Sequence, residues 1–164
     1  REWLVTILVA VVISLLFQNY VFAQVKVEQH SMEESIHEGE RLIENKFIYR
    51  FTKPKRGDIV IIEPEGYDKR LIKRVIGLPG ETVELKDGQV YIDGVPLEEP
   101  YAKGETHPRG EDYPFVVPED CVFVLGDNRE VSLDSRNLGA IPFSDIEGKA
   151  VLRIWPLDKL SWTK

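Results

Sequence analysis

The sequence is poor in cysteine and histidine, and these shortages exclude several kinds of site. Its 164 residues include one cysteine, so no intramolecular disulfide can form. Cys121 opens the apolar run 121–125, where a buried thiol is expected rather than a nucleophile. The three histidines, His30, His37 and His107, lack the spacing of metal ligands. The sequence therefore predicts no metal site, and no cofactor motif is present.

An excess of positive charge is also absent. Lys and Arg number 21 against 28 Asp and Glu, which gives a formal net charge of -7. The sequence also has no zinc-finger, basic-region or glycine-cradle motif that would indicate nucleic-acid binding. We therefore expect no nucleic-acid partner.

Long stretches with helical periodicity are missing after the N-terminal segment, and short apolar runs between glycine and proline turns take their place. Residues 86–89 resemble a hairpin turn, and residues 98–112 form a polar segment that we interpret as a surface loop. The apolar runs are 58–62, 71–76, 82–85, 90–92, 115–117, 122–125 and 150–155. Many short strands with such punctuation predict an all-β domain, a partly open barrel or sandwich.

The N-terminal segment is the one long hydrophobic run. Residues 3–25 carry no charge, and as a helix they would be about 34 Å long, enough for a hydrocarbon core of about 30 Å. We predict a transmembrane helix as an anchor over residues 1–25, followed by a catalytic domain over residues 26–164. A cleaved secretory signal is the alternative, because Ala23 is small. The run exceeds the usual length of a signal's hydrophobic region and only Arg1 supplies a positive flank, which favours the anchor.

Residues 70–80 read as a strand that ends in a Gly-Leu-Pro-Gly turn. Alternation places Lys73 and Arg74 on opposite faces, each between apolar neighbours. One face can leave its cation in water, whereas the other would have to bury it. A buried lysine tends to become neutral, and a neutral lysine is a general base. The commoner role for such a lysine is an exposed charge on an apolar stem.

A general base needs a nucleophile. No Gly-x-Ser-x-Gly motif is present, so an α/β-hydrolase is excluded. Ser31 stands out, in residues 31–36 shortly after the hydrophobic run. The alternative role of Ser31 is to cap a helix that has an acidic first turn.

Four motifs in order make the chain similar to one family. They are Ser31-Met32 just after the hydrophobic run, Arg56-Gly57-Asp58, Lys73-Arg74-Val75-Ile76-Gly77-Leu78-Pro79-Gly80, and Gly126-Asp127-Asn128-Arg129 followed by Ser132, Asp134, Ser135 and Arg136. The chain resembles type I signal peptidases, and most of all their short single-anchor form from Gram-positive bacteria. The resemblance covers essentially the whole chain.

The resemblance implies a Ser-Lys dyad, in which Ser31 attacks the scissile carbonyl and Lys73 takes its proton. It places at Ser132 a hydroxyl that orients the lysine amine. It also implies that Asp134 and Arg136 form an ion pair that supports this loop.

Three positions near the nucleophile depart from the family pattern, and one of them is Ser35, which replaces a threonine. The family's second oxyanion donor is a serine two residues before the nucleophile, where this chain has Gln29, whose amide would have to donate instead. Glu34 replaces a proline, and we expect its charge to raise the pKa of the dyad lysine. We expect the apolar wall of the substrate pocket to consist of Met32, Ile36, Leu71 and Ile72.

The function that the resemblance implies is a membrane-bound serine endopeptidase without cofactor. It would cleave signal peptides from secreted preproteins after small residues. Its catalytic domain would lie on the extracytoplasmic side of the cell membrane, and a single-pass anchor would hold it in the lipid bilayer, its second partner. The main alternative is an inactive, membrane-tethered homologue that binds preproteins or regulates the active enzyme. A self-cleaving repressor of the same superfamily and a structural cell-surface domain fit the anchor or the motifs less well.

Overall fold

The computed structural model describes residues 2–164 and, within that range, every side chain except those of Gln18 and Asn19. Arg1, which belongs to the predicted anchor, lies outside the described residues. The helices are α1 (Glu2–Tyr20) and the single turn α2 (Ser135–Leu138). The strands are β1 (Phe22–Lys26), β2 (Arg41–Asn45), β3 (Ile59–Ile62), β4 (Leu71–Gly77), β5 (Thr82–Lys86), β6 (Gln89–Ile92), β7 (Val95–Pro96), β8 (Phe115–Val116), β9 (Cys121–Leu125), β10 (Ile141–Pro142), β11 (Ile146–Trp155) and β12 (Ser161–Trp162).

Helix α1 carries the hydrophobic run, and its side chains from residue 2 to residue 17 are exposed. Among residues 2–164, no helix has both the length and the apolar character needed to cross a bilayer. The predicted transmembrane helix is therefore not confirmed. The chain leaves α1 at Tyr20 and enters β1 at Phe22.

The strands of residues 2–164 form two antiparallel sheets, which confirms the predicted mainly β fold. The larger sheet has the order β1-β2-β11-β3-β4-β9-β10, with β12 added beside β11. Register shifts in β11 occur against both β2 and β3, and such bulges bend a strand and increase its twist. The smaller sheet has the order β7-β6-β5-β8. The predicted turn joins β5 to β6, with positive φ angles at Asp87 and Gly88 as a two-residue hairpin loop requires.

The larger sheet is covered on both faces, and alternating residues of its central strands enter different core clusters. In β3, Ile59 and Ile61 pack in one cluster, whereas Val60 and Ile62 pack in another. All seven residues of β4 are buried for this reason. The sequence predicted that one cation of β4 would reach water. Instead, both are buried, with Lys73 0 % exposed and Arg74 2 % exposed.

Candidate active site

Ser31 lies in the segment that follows β1, and a distant strand end fixes its backbone. The Asn128 backbone N–H donates to the Ser31 carbonyl at 2.9 Å, and the Asn128 side-chain amide donates to the His30 carbonyl at 3.2 Å. Asn128 comes just after β9, which pairs with β4. The sheet thereby sets the position of Ser31 relative to the residues of β4.

The structure brings Lys73 and Ser31 into direct contact. Lys73 Nζ lies 2.8 Å from Ser31 Oγ and 2.9 Å from the carbonyl oxygen of Ile72. Burial lowers the pKa of Lys73 from 10.5 to about 8, while the negative charges of Asp134 and Asp127 oppose part of that fall. The pKa of the Lys73 amine is therefore low enough for a fraction of it to be neutral near neutral pH, and the neutral amine can accept a proton.

Arg74, the next residue, shows how a buried cation stays charged in the same sheet. Its guanidinium donates to both carboxylate oxygens of Asp127, at 2.8 and 2.7 Å. The guanidinium carbon also lies 4.0 Å from the centre of the Tyr101 ring. Lys73 has no carboxylate within ion-pair distance among the described residues. The two adjacent cations thus differ in that only Arg74 has a paired countercharge.

Ser132 lies in the loop after β9 and is buried, but the expected hydrogen bond to Lys73 is not formed. Ser132 Oγ has no hydrogen bond of normal geometry among the described residues, although it lies close enough to Asp134 to favour the charged form of that carboxyl, and Lys73 donates to Ser31 and to Ile72. Gly126 gives this loop the space that it needs. A Cβ atom at Gly126 would overlap Ser132 Oγ and lie 2.5 Å from the Ser31 carbonyl oxygen.

Asp134 and Arg136 form the ion pair that the sequence predicted. Arg136 Nε and Nη2 each donate to one carboxylate oxygen of Asp134 at 2.9 Å, and both side chains are almost fully buried. Burial alone would raise the pKa of the Asp134 carboxyl, but the hydrogen bonds and charge of Arg136 outweigh it and hold that pKa below its usual value. Asp134 also accepts from the Gly126 backbone N–H at 3.1 Å, which ties the pair to the end of β9.

Two clefts meet at Ser31 and Gln29. The first cleft, of about 560 Å³, runs between the β1 segment and the start of β4 and includes Met32 and Ile72 in its lining. The second cleft, of about 430 Å³, lies on the Leu71 side. Three of the four predicted pocket residues therefore line a cleft beside Ser31.

Ile36 is the exception. It is 1 % exposed and packs in the core cluster beneath β1 and β2, and it lines neither cleft. The substrate contact of Ile36 therefore stays a prediction that neither cleft supports, because this apolar residue packs in the core. The prediction for Glu34 was wrong. Its exposed carboxylate faces Lys103 Nζ at 3.6 Å, and the groups that raise the pKa of Lys73 are Asp134 and Asp127.

The family model described as "Signal peptidase, peptidase S26" matches residues 1–155. The chain belongs to this signal peptidase family. Signal peptidase I T of Bacillus subtilis (strain 168) is 41% identical, over 99% of this chain and 89% of that protein. Signal peptidase I of Bacillus amyloliquefaciens is 38% identical, over 99% of this chain and 92% of that protein. A crystal structure of a signal peptidase I from Enterococcus faecalis V583 matches with a TM-score of 0.51 and 39% identity, covering 60% of this chain and 97% of that one.

In this member of the signal peptidase family, sequence reasoning missed what Asp127 and Asn128 do. Asx side chains that follow a strand often bond their own backbone, so local turn contacts are the ordinary expectation for both residues. Instead Asp127 pairs with Arg74 of β4, and Asn128 holds the Ser31 segment. The only signal for these contacts was the presence of both residues in a family motif, because their partners are far away in the chain.

Proposed function

We propose that this protein is a membrane-bound serine endopeptidase that removes signal peptides from secreted preproteins, cleaving after small residues. The observation that carries the proposal is the 2.8 Å contact between Ser31 Oγ and Lys73 Nζ, in a lysine whose pKa is lowered to about 8 by burial. Membership of the signal peptidase family and the names of the relatives support it.

In the proposed reaction, neutral Lys73 takes the proton of Ser31 as Ser31 Oγ attacks the carbonyl carbon of the scissile bond. The resulting ammonium lies near Asp134 and Asp127, whose charges favour it, and it then gives the proton to the leaving amine. A water molecule, deprotonated by Lys73, next attacks the ester on Ser31 and releases the signal peptide. The enzyme returns to its starting protonation state, and no metal or cofactor takes part.

The developing oxyanion requires two donors. We propose the Ser31 backbone N–H as the first and the Gln29 side-chain amide as the second, since Gln29 lines both clefts with Ser31. Gln29→Ala is expected to lower kcat about 100-fold or more with little change in KM. An unchanged kcat would remove Gln29 from this role.

Ser132, Asp134 and Arg136 are proposed as supports of the dyad. Asp134 and Arg136 hold the loop after β9, and Ser132 lies on that loop with its hydroxyl unpaired among the described residues. In this role the Ser132 hydroxyl would accept a hydrogen bond from Lys73. Met32, Leu71 and Ile72 are proposed to contact substrate.

The location at the cell membrane, with the catalytic domain on the extracytoplasmic side, is part of the proposal. The uncharged run of residues 3–25 and the exposed side chains of α1 support contact of this segment with lipid. The single-pass arrangement rests on the uncharged run and on the family resemblance, whereas the predicted division at residues 25 and 26 falls within β1, which pairs with β2. Resistance of the chain to alkaline extraction from membranes, with protease access to residues 98–112 from the outer side only, would test this location.

The decisive experiment is cleavage of a purified preprotein by the full chain in detergent. Ser31→Ala and Lys73→Met are expected to lose cleavage, and Lys53→Met, which removes an exposed lysine, is expected to keep it. The wild-type kcat/KM should rise about tenfold per pH unit below pH 8 and level off above it, because only neutral Lys73 acts. Normal cleavage by Lys73→Met would refute the dyad. Absence of cleavage by the wild type would favour the inactive homologue, for which the contact between Ser31 and Lys73 offers no support.

A further inference from the structure

The second cleft has an apolar wall that the dyad does not use. Leu71 lines it together with Val131 and Leu133 from the loop after β9, and Gln29, Ser31 and residues 66–69 complete the lining. Val131 is 62% exposed and Leu133 is 36% exposed, so both apolar side chains lie open to solvent although a buried core is adjacent. Ser31 lines this cleft as well as the first one. An occupant of the second cleft would therefore lie next to the scissile bond.

The alternation of side chains indicates which part of a substrate enters the second cleft. Leu71 and Ile72 are consecutive residues of β4, so they face opposite sides of the sheet. Ile72 and Met32 line the first cleft, which the small residue before the scissile bond would enter. In an extended peptide, the residues on either side of that small residue point the opposite way. They would thus face Leu71, Val131 and Leu133.

One side chain fixes the wall of the second cleft from outside the sheet. The Arg109 guanidinium donates to three backbone carbonyls of the loop, those of Arg129 at 3.0 Å, Glu130 at 2.8 Å and Ser132 at 2.7 Å. On the buried side of the loop, Arg136 Nη2 donates a hydrogen bond to the same Arg129 carbonyl oxygen at 2.7 Å. A planar guanidinium with several fixed donors suits this arrangement, whereas a lysine ammonium cannot reproduce it fully.

We propose that the second cleft is a subsite for an apolar side chain that directly flanks the small residue before the scissile bond. Val131 and Leu133 determine its specificity, and Arg109 is a positioning residue that holds both in place. The inference rests on the proposed function, because it needs a peptide bond at Ser31.

The test uses the full chain and a preprotein series with Ala, Leu or Asp at each of the two positions that flank the small residue. The wild type is expected to prefer Leu over Asp in kcat/KM at one of these positions. The Leu-to-Asp ratio should fall about tenfold in Val131→Ser and in Leu133→Ser, since one lost apolar contact in a pocket has an effect of that order. Val116→Ser is the matched control, an exposed valine on β8 of the smaller sheet, and it should keep the wild-type ratio.

Arg109→Ala should lower the same ratio, and Arg109→Lys should restore it in part. A purely structural role for Arg109 would lower the melting temperature but leave the ratio unchanged, which would remove it from the proposal. Equal rates for Leu and Asp at both positions in the wild type, or an unchanged ratio in both loop variants, would overturn the subsite while leaving the proposed function intact. Failure of the wild type to cleave even the Ala substrate would instead refute the proposed function and the subsite with it.

Discussion

Replacement of Lys73 by methionine should stabilise the protein near neutral pH although it removes the proposed base. Methionine is close to lysine in shape but carries no charge. Each pKa unit corresponds to about 1.4 kcal/mol, so the fall from 10.5 to about 8 means that the folded state disfavours the charged lysine by about 3 kcal/mol. Loss of the hydrogen bonds to Ser31 and Ile72 offsets about 1–2 kcal/mol of the expected gain.

The pH dependence of this effect has a definite sign. Between about pH 8 and pH 10.5, Lys73 is neutral in the folded state and protonated in the unfolded state, so the unfolded state binds more protons. The stability of the wild type therefore rises with pH across this window and carries the full penalty below it. The stability of the methionine variant does not depend on pH in this way, because methionine does not titrate. Its advantage should be about 1–2 kcal/mol at pH 7 and should shrink by about 3 kcal/mol by pH 10.5, becoming a deficit.

Urea unfolding of the full chain in a nonionic detergent, followed by tryptophan fluorescence at several pH values, measures this difference. Lys53→Met removes an exposed lysine and should change the free energy of unfolding little. If the difference between wild type and Lys73→Met does not vary between pH 7 and pH 10.5, the pKa of Lys73 is not lowered by burial, and the argument for a neutral base fails.

Two further variants test the neighbours of the dyad. Asp127→Asn leaves Arg74 buried without its countercharge, and we expect a loss of about 3–5 kcal/mol in the free energy of unfolding. A loss below about 1 kcal/mol in urea titrations would contradict this expectation and mean that water reaches Arg74. Gly126→Ala forces Ser132 or the Ser31 carbonyl to move, and we expect kcat to fall at least about 100-fold in the preprotein assay. A normal kcat would show that the close approach of Gly126 to Ser132 and Ser31 does not position the nucleophile.

The strands could largely be predicted because their apolar, β-branched residues are a local signal. The runs that became β3, β4, β5, β6, β8 and β9 were each identified from sequence. β1 was hidden within the hydrophobic run, which has no alternation to separate a strand from a helix. β2 has only two apolar residues, Leu42 and Ile43, and so lacks the density that marks a strand.

The candidate site was only partly predictable, for a related reason. Ser31 and Lys73 were identified from motifs, but the environment of each cation depends on partners elsewhere in the chain. The burial of Arg74 is possible only because Asp127, 53 residues later, pairs with it. The place of Ile36 likewise depended on where the core closes, which no local pattern shows.

The position of β11 in the larger sheet has a consequence for biosynthesis. This strand is the last long one in the sequence, yet it lies between β2 and β3, and the Ser31 segment is held by a residue that follows His30 by 98 positions. A nascent chain that has not yet reached β11 lacks the strand that pairs with both β2 and β3, so the larger sheet can close only late in synthesis.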